Sequence, residues 1–197
     1  TVGEPVDYYD FMGQARELGV ADLIVQAGYV GDAELASYLA AADVCLNLRW
    51  PTGRETSAAW LRCVAAGKPT VVTDLVHQTD VPSLDVRSMS AAPGGPAGAD
   101  PVCVHVELVD EIPMLRLALQ RLCGDADLRA RLGRAARRYW AEQATVELTV
   151  REYETLLARA AAAPDPPRPA GWPAHLTADG SGVARTLAAE VGVACPL

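Results

Sequence analysis

The chain has 197 residues, half of them hydrophobic, and a formal net charge of −8. That length and apolar content suit one well-buried domain with an appendage and exclude a disordered chain. The acidic balance speaks against a nucleic-acid binder and against docking on anionic lipid, because both need clustered Lys and Arg.

In chain order, 6–18 carries apolar residues at helical spacing (Tyr8, Phe11, Met12, Ala15, Leu18), closed by Gly19 as a C-cap. The run 23–29 predicts a short buried strand ended by Gly28 and Gly31. Asp32 suits an N-cap, with Leu35, Tyr38, Leu39 and Ala42 on one helical face. A second strand is expected over 43–48, a turn-rich loop with Pro51 and Gly53 over 50–54, and a helix over 56–66 stopped by Gly67. A third strand follows over 69–73, with Pro69 at its edge where no ladder donor is needed. The stretch 90–101, rich in Gly, Ala and Pro, reads as a mobile loop. A further strand is expected over 102–106, then helices over 113–123, 125–143 and 146–163, the last capped by Thr145. The arginines Arg129, Arg131, Arg134, Arg137 and Arg138 cluster among helix-favouring residues and read as a solvated helix face. A Pro-rich linker over 164–172 and a small helix over 182–191 complete the chain.

Short, non-alternating apolar strands joined by helices of about ten residues predict right-handed crossovers and a parallel sheet covered on both faces. The expected fold class is therefore α/β, a Rossmann-like open parallel sheet with helices on both faces. Residues 1–163 form that domain, and 164–197 form a linker and a helical C-terminal extension. The cysteines are odd in number, far apart and without a CxxC pair, so they read as small core residues of a reducing compartment and not as a disulfide frame or zinc site. No run of about 18 apolar residues and no signal-peptide pattern occurs, which predicts a cytoplasmic protein without a transmembrane segment. The first residue is Thr and not Met, consistent with a processed or cut N-terminus.

The informative stretch runs from Asp43 through Leu48-Arg49-Trp50-Pro51-Thr52-Gly53-Arg54-Glu55-Thr56-Ser57 to Gly67-Lys68-Pro69-Thr70-Val71-Val72-Thr73-Asp74. It reads as strand, glycine-bearing loop, helix, tight turn and strand. Ligands of open parallel sheets lie beyond the carboxyl ends of the strands. A helix starting near Thr56 points its unpaired N–H groups and the positive end of its dipole into that crevice, which suits a phosphate or diphosphate. Gly53 allows close backbone approach. Thr52, Thr56 and Ser57 add hydroxyls. Glu55 would repel phosphates and is better used to accept from sugar or ribose hydroxyls. Arg62 lies seven residues on, two turns along the same face. The plainer reading of Glu-Thr-Ser is a helix cap with a first-turn acid, and that of Gly67-Lys68-Pro69 a helix stop before a strand. His77 and Asp80 follow in the loop after Asp74, while His105 and His175 read as structural.

The run from Gly28 to Asp74 resembles the C-terminal domain of the retaining glycosyltransferases of the GT-B fold, family 4 group. The matching pieces are Gly28 to Leu35 (G-x-V-x-x-x-x-L), Ala42-Asp43-Val44, the acid-containing loop with Glu55, and Ala65 to Asp74. The loop variant with Glu-Thr-Ser is similar to a bacterial subgroup, and Tyr139-Trp140, Thr145 and Tyr153 resemble the helical end of such domains. The resemblance implies that Glu55 is the first of two glutamates that flank the donor, and therefore the catalytic candidate. It implies that Thr52, Gly53, Arg54, Thr56, Ser57, Arg62 and Tyr29 bind the donor. The second glutamate is replaced: counting eight from Glu55 gives Cys63, and counting back from Gly67 gives Arg62. The Arg/Lys pair that binds the diphosphate in the family is not found. Thr1-Val2-Gly3-Glu4 resembles the end of the domain's second strand, so an upstream acceptor-binding domain is expected as partner.

The implied reaction is glycosyl transfer from a nucleotide-diphospho-sugar, with no cofactor and no metal. The alternatives are a non-catalytic α/β nucleotide-binding or assembly module, and a GT-B sugar-nucleotide epimerase or phosphorylase. A generic dinucleotide dehydrogenase is disfavoured, because no G-x-G-x-x-G follows a strand.

Overall fold

A computed structural model describes residues 1–4, 7–50, 56–75, 80–93, 96, 98–164, 171, 173 and 181–193. Backbone packing divides the chain into two units, Thr1–Arg151 and Glu152–Leu197. The boundary expected at 163/164 falls inside the second unit.

The first unit opens with α1 (Phe11–Glu17), capped by Asp10, whose carboxylate accepts from Gly13 N. Gly19 follows it at φ +68°, a left-handed stop as expected. Next come a 3-10 turn (Ala21–Leu23) and α2 (Asp32–Ala41). Then follow β1 (Cys45–Asn47), α3 (Ala58–Ala65), β2 (Thr70–Thr73), β3 (Ser83–Asp85), β4 (Ser90–Ala91) and β5 (Cys103–Val106). The helices α4 (Glu111–Gly124), α5 (Ala126–Gln143) and α6 (Val146–Ala162) close the run, and α7 (Ser181–Glu190) lies in the second unit. Asp125 caps α5 by accepting from Leu128 N, and Thr145 Oγ1 accepts from Leu148 N at the start of α6. Among the described residues, no helix is long and apolar enough to cross a membrane.

The sheet has the order β1-β2-β5-β3-β4. β1 pairs with β2, β2 with β5 and β5 with β3, all parallel, and β4 returns antiparallel to β3. Every residue of β2 and β5 is buried. Val71, Val104 and Val106 pack with Met114, Ala118 and Leu122 of α4 and with Leu128 and Leu132 of α5. Val72 and Cys103 pack with Trp60 and Val64 of α3 and with Ala136 of α5. Alternate residues thus serve opposite faces, which is why these strands are apolar throughout.

Three expectations are corrected. The run 23–29 is not a strand: Leu23 and Val25 are 82% and 69% exposed, so no apolar layer covers them. Among the described residues its extended part pairs with Thr1–Gly3, through Thr1 N to Val25 O, Ala27 N to Thr1 O and Gly3 N to Gly28 O, while Leu23 and Ile24 bond back to Val20 and Ala21 in the 3-10 turn. Gly31, not Asp32, is the N-cap of α2, with no side-chain cap, and α2 buries none of its residues. The loop reading of 90–101 fails at its start, because Ser90–Ala91 forms β4 and Ala92 is buried. Strand β3 was unforeseen. Its turn into β4 is held by Asp85, which accepts from Arg87 N and Ser88 Oγ.

The turn after α3 packs tightly against α5. Gly67 is at φ +67°, and a Cβ built on Gly133 would stand 2.3 Å from the Gly67 carbonyl oxygen. Arg137 reaches across to donate to the Ala65 carbonyl and stacks 4.5 Å from the Trp140 ring.

Candidate functional site

The carboxyl ends of β1 and β5 border a cavity of about 530 Å³, lined by Leu48, Arg49 and Trp50 after β1 and by Leu108, Val109 and Glu111 after β5. It lies where an open parallel sheet places its ligand. The β1 exit is tied to the neighbouring strand, since Arg49 N donates to Thr73 Oγ1 at 3.0 Å. The β5 exit is tied to the hairpin: Arg87 Nη2 donates to Glu107 and Asp110 at 3.1 Å each and approaches Met114 Sδ at 3.0 Å. These ion pairs are about half exposed, so each contributes roughly 0–1 kcal/mol. Their chief effect is to fix the wall that carries Val109. Val109 and Trp50 are 95% and 66% exposed, leaving apolar surface at the cavity mouth. The β5-side residues escaped the sequence reading. The rule that pointed to the loop after β1 applies equally to the loop after β5, and that is the signal that would have found them.

Helix α3 follows β1 in the chain. Ser57 caps it, its Oγ accepting from Trp60 N at 3.2 Å, and Ser57 is itself buried. Thr56, Ala58 and Ala59 are exposed. The N–H groups of the helix's first two residues, Ala58 and Ala59, have no intrahelical acceptor. The tip is anchored from within, because Trp60 Nε1 donates to Thr70 Oγ1 at 3.0 Å and the indole lies 6.1 Å from the Tyr139 ring. Of the sequence-predicted site residues, Thr52, Gly53, Arg54 and Glu55 lie outside the described residues, as does His77. Arg62 is exposed and paired with Asp32 at 2.5 Å, bridging α3 to the first turn of α2. Tyr29 is 83% exposed in the segment before α2.

The cysteines do more than fill space. Cys45 on β1 and Cys63 on α3, eighteen positions apart in sequence, meet between strand and helix. A hydrogen bond from the Cys45 thiol, opposed by burial and helped by the Asn47 amide at 3.6 Å, lowers the Cys63 pKa to about 7. The same bond and burial push Cys45 up. Cys103 is buried and raised to about 12, whereas Cys123 is exposed and not a core residue. His105 is buried, 3.4 Å from Ser83 Oγ, as befits a structural histidine. Asp80 is exposed.

No protein-family model matches the sequence, and no curated protein matches it. Solved structures share its fold. Sucrose-phosphate synthase from Thermosynechococcus elongatus superposes with a TM-score of 0.61 at 19% identity, over 83% of this chain and 38% of that one. WaaG, a glycosyltransferase involved in lipopolysaccharide biosynthesis, gives 0.53 at 19% identity, over 73% of this chain and 33% of that one. The chain thus spans about a third of the length of these neighbours, and it shares with them a Rossmann-like α/β fold of the kind that forms one half of the GT-B fold.

Proposed function

We propose that this chain is the donor-binding half of a glycosyltransferase that moves a hexosyl group from a nucleotide-diphospho-sugar, UDP- or GDP-linked, to an acceptor held by a second, upstream domain. The observation that carries the reading is the open cavity at the carboxyl ends of β1 and β5, together with the exposed first residues of α3, the helix that follows β1 in the chain. In this reading the diphosphate lies against the α3 tip, where the Ala58 and Ala59 amides, the Thr56 hydroxyl and Arg54 hold it. Ser57 shapes the tip by capping it. Thr52 and Gly53 form the approach, Glu55 accepts from the donor sugar's hydroxyls, and Tyr29 and Arg62 border the nucleotide. Oriented donors aimed at the departing diphosphate stabilise its charge as the glycosidic bond breaks, without a metal ion. The compartment proposed is the cytoplasm, and residues 1–163 are proposed as the working domain.

Two measurements test this. The chain should bind UDP or GDP in calorimetry. Glu55→Ala in the full-length protein should cut sugar transfer at least a hundredfold, roughly the worth of one transition-state contact, with an unchanged melting temperature. Undiminished turnover in that variant refutes the role of Glu55.

A second reading, a non-catalytic nucleotide-binding module, is favoured by one observation. The positions where the resemblance expects a second acid hold Cys63, which is buried, and Arg62, which is committed to Asp32. Nucleotide binding without sugar transfer by the full-length protein selects it.

A further inference from the structure

A second cavity, about 520 Å³, lies at the amino end of β5, away from the crevice just described, between the β3–β4 hairpin and α5. Its floor is apolar: Leu84 and Met89 come from the hairpin region, and Leu128 and Leu132 from α5. Its rim is cationic. Arg131, Arg134 and Arg138 recur at i, i+3 and i+7, which puts three guanidiniums on one face of the helix, all lining the cavity. Arg138 is neutralised by Asp100 at 2.5 Å. Arg131 and Arg134 have no ion-pair or hydrogen-bond partner among the described residues. Two like charges one turn apart repel each other, and the one carboxylate among the described lining residues, Asp100, is paired with Arg138.

From the sequence these arginines read as a solvated helix face. A solvated face needs no concavity and no apolar floor, and here both are present. We propose that this cavity binds a soluble small molecule bearing a phosphomonoester on an apolar or ring-shaped body. Two unpaired guanidinium forks match the oxygens of a phosphate dianion better than a single carboxylate would. A free phosphate ion would leave most of the volume and the floor at Leu84 and Leu132 unused, so the ligand has an apolar part. The phosphate lies between Arg131 and Arg134 and the body against the floor. Arg138, held by Asp100, closes the rim. A ligand here sits apart from the sugar-donor crevice and does not compete with a nucleotide.

Phenyl phosphate is the probe, titrated calorimetrically into the chain, with inorganic phosphate and benzyl alcohol as partial ligands. The expected result is one saturable site at least tenfold tighter for phenyl phosphate than for inorganic phosphate, with no detectable binding of benzyl alcohol and no displacement by UDP. Arg131→Gln with Arg134→Gln should weaken it at least tenfold. Both side chains are on exposed residues, so the variant should melt as the parent does, and Arg116→Gln on α4 should leave binding unchanged. The proposal is overturned by absence of saturable binding, by equal affinity for inorganic phosphate, which would mean only a diffuse cationic face, or by full retention of binding in the double variant.

Discussion

On α3, Cys63 is held between two donors, the Cys45 thiol and the Asn47 amide, and this drags its ionisation down to about 7. The consequence for stability has a definite sign. Between about pH 7 and the ordinary thiol value of 9.0, the folded chain has released the Cys63 proton while the unfolded chain retains it, so stability rises with pH. Above 9.0 the unfolded chain also ionises Cys45 and Cys103, which the fold keeps protonated, so stability falls again. Melting temperature measured from pH 6 to 11 should therefore peak near the thiol range. Cys63→Ser should remove the rise and leave the fall; a persistent rise would mean that another group titrates there. None of this was legible in the sequence, because β1 and α3 bring together residues eighteen positions apart that no local motif links. Ser57 shows the opposite case. The plain cap reading of Glu-Thr-Ser describes its position, and its hydroxyl accepts from Trp60 N.

At the scale of elements, the joint between the α3–β2 turn and α5 leaves no room for a side chain at Gly133. Gly133→Ala would place a methyl group 2.3 Å from a backbone oxygen, with no flexible side chain to yield. A loss of about 1–3 kcal/mol is expected from such overpacking, read as a lowered midpoint in urea. Gly133→Ala with a parent-like midpoint would mean that α5 slides freely over the turn. The strands the sequence announced most clearly were β2 and β5, short apolar runs buried throughout. β1 was legible as a short apolar run although Leu46 is 48% exposed, and the helices carry apolar residues at helical spacing. β3 and β4 were silent because only Leu84 of β3 points inward and both residues of β4 are exposed, so neither has the apolar signature of a strand. The run 23–29 erred the other way: it is apolar enough for a core strand but lacks both a full ladder partner and a covering layer.

At the scale of the whole first unit, cohesion is uneven. Among the described residues before Cys45, only Ala15 is buried, whereas β2 and β5 are buried throughout. Amide exchange should accordingly run much faster over α1 and α2 than over β2 and β5, since local opening there exposes little apolar surface. Equal protection across both would show that the N-terminal segment is tied down by contacts beyond those described. The α/β class and the parallel sheet followed from the sequence because layered burial writes itself into composition. The crevice followed only in part, since one of its walls lies after a strand with no motif of its own.

Trp50 stands at the mouth of that crevice, 66% exposed, while Trp60 is sealed inside. The protein therefore carries its own optical reporter. An indole in water emits to the red of one in a dry interior, so an occupant of the crevice should dim or blue-shift the Trp50 component and leave Trp60 emission in place. Trp50→Phe should erase that response. If it did not, the occupant would be settling somewhere other than beside β1.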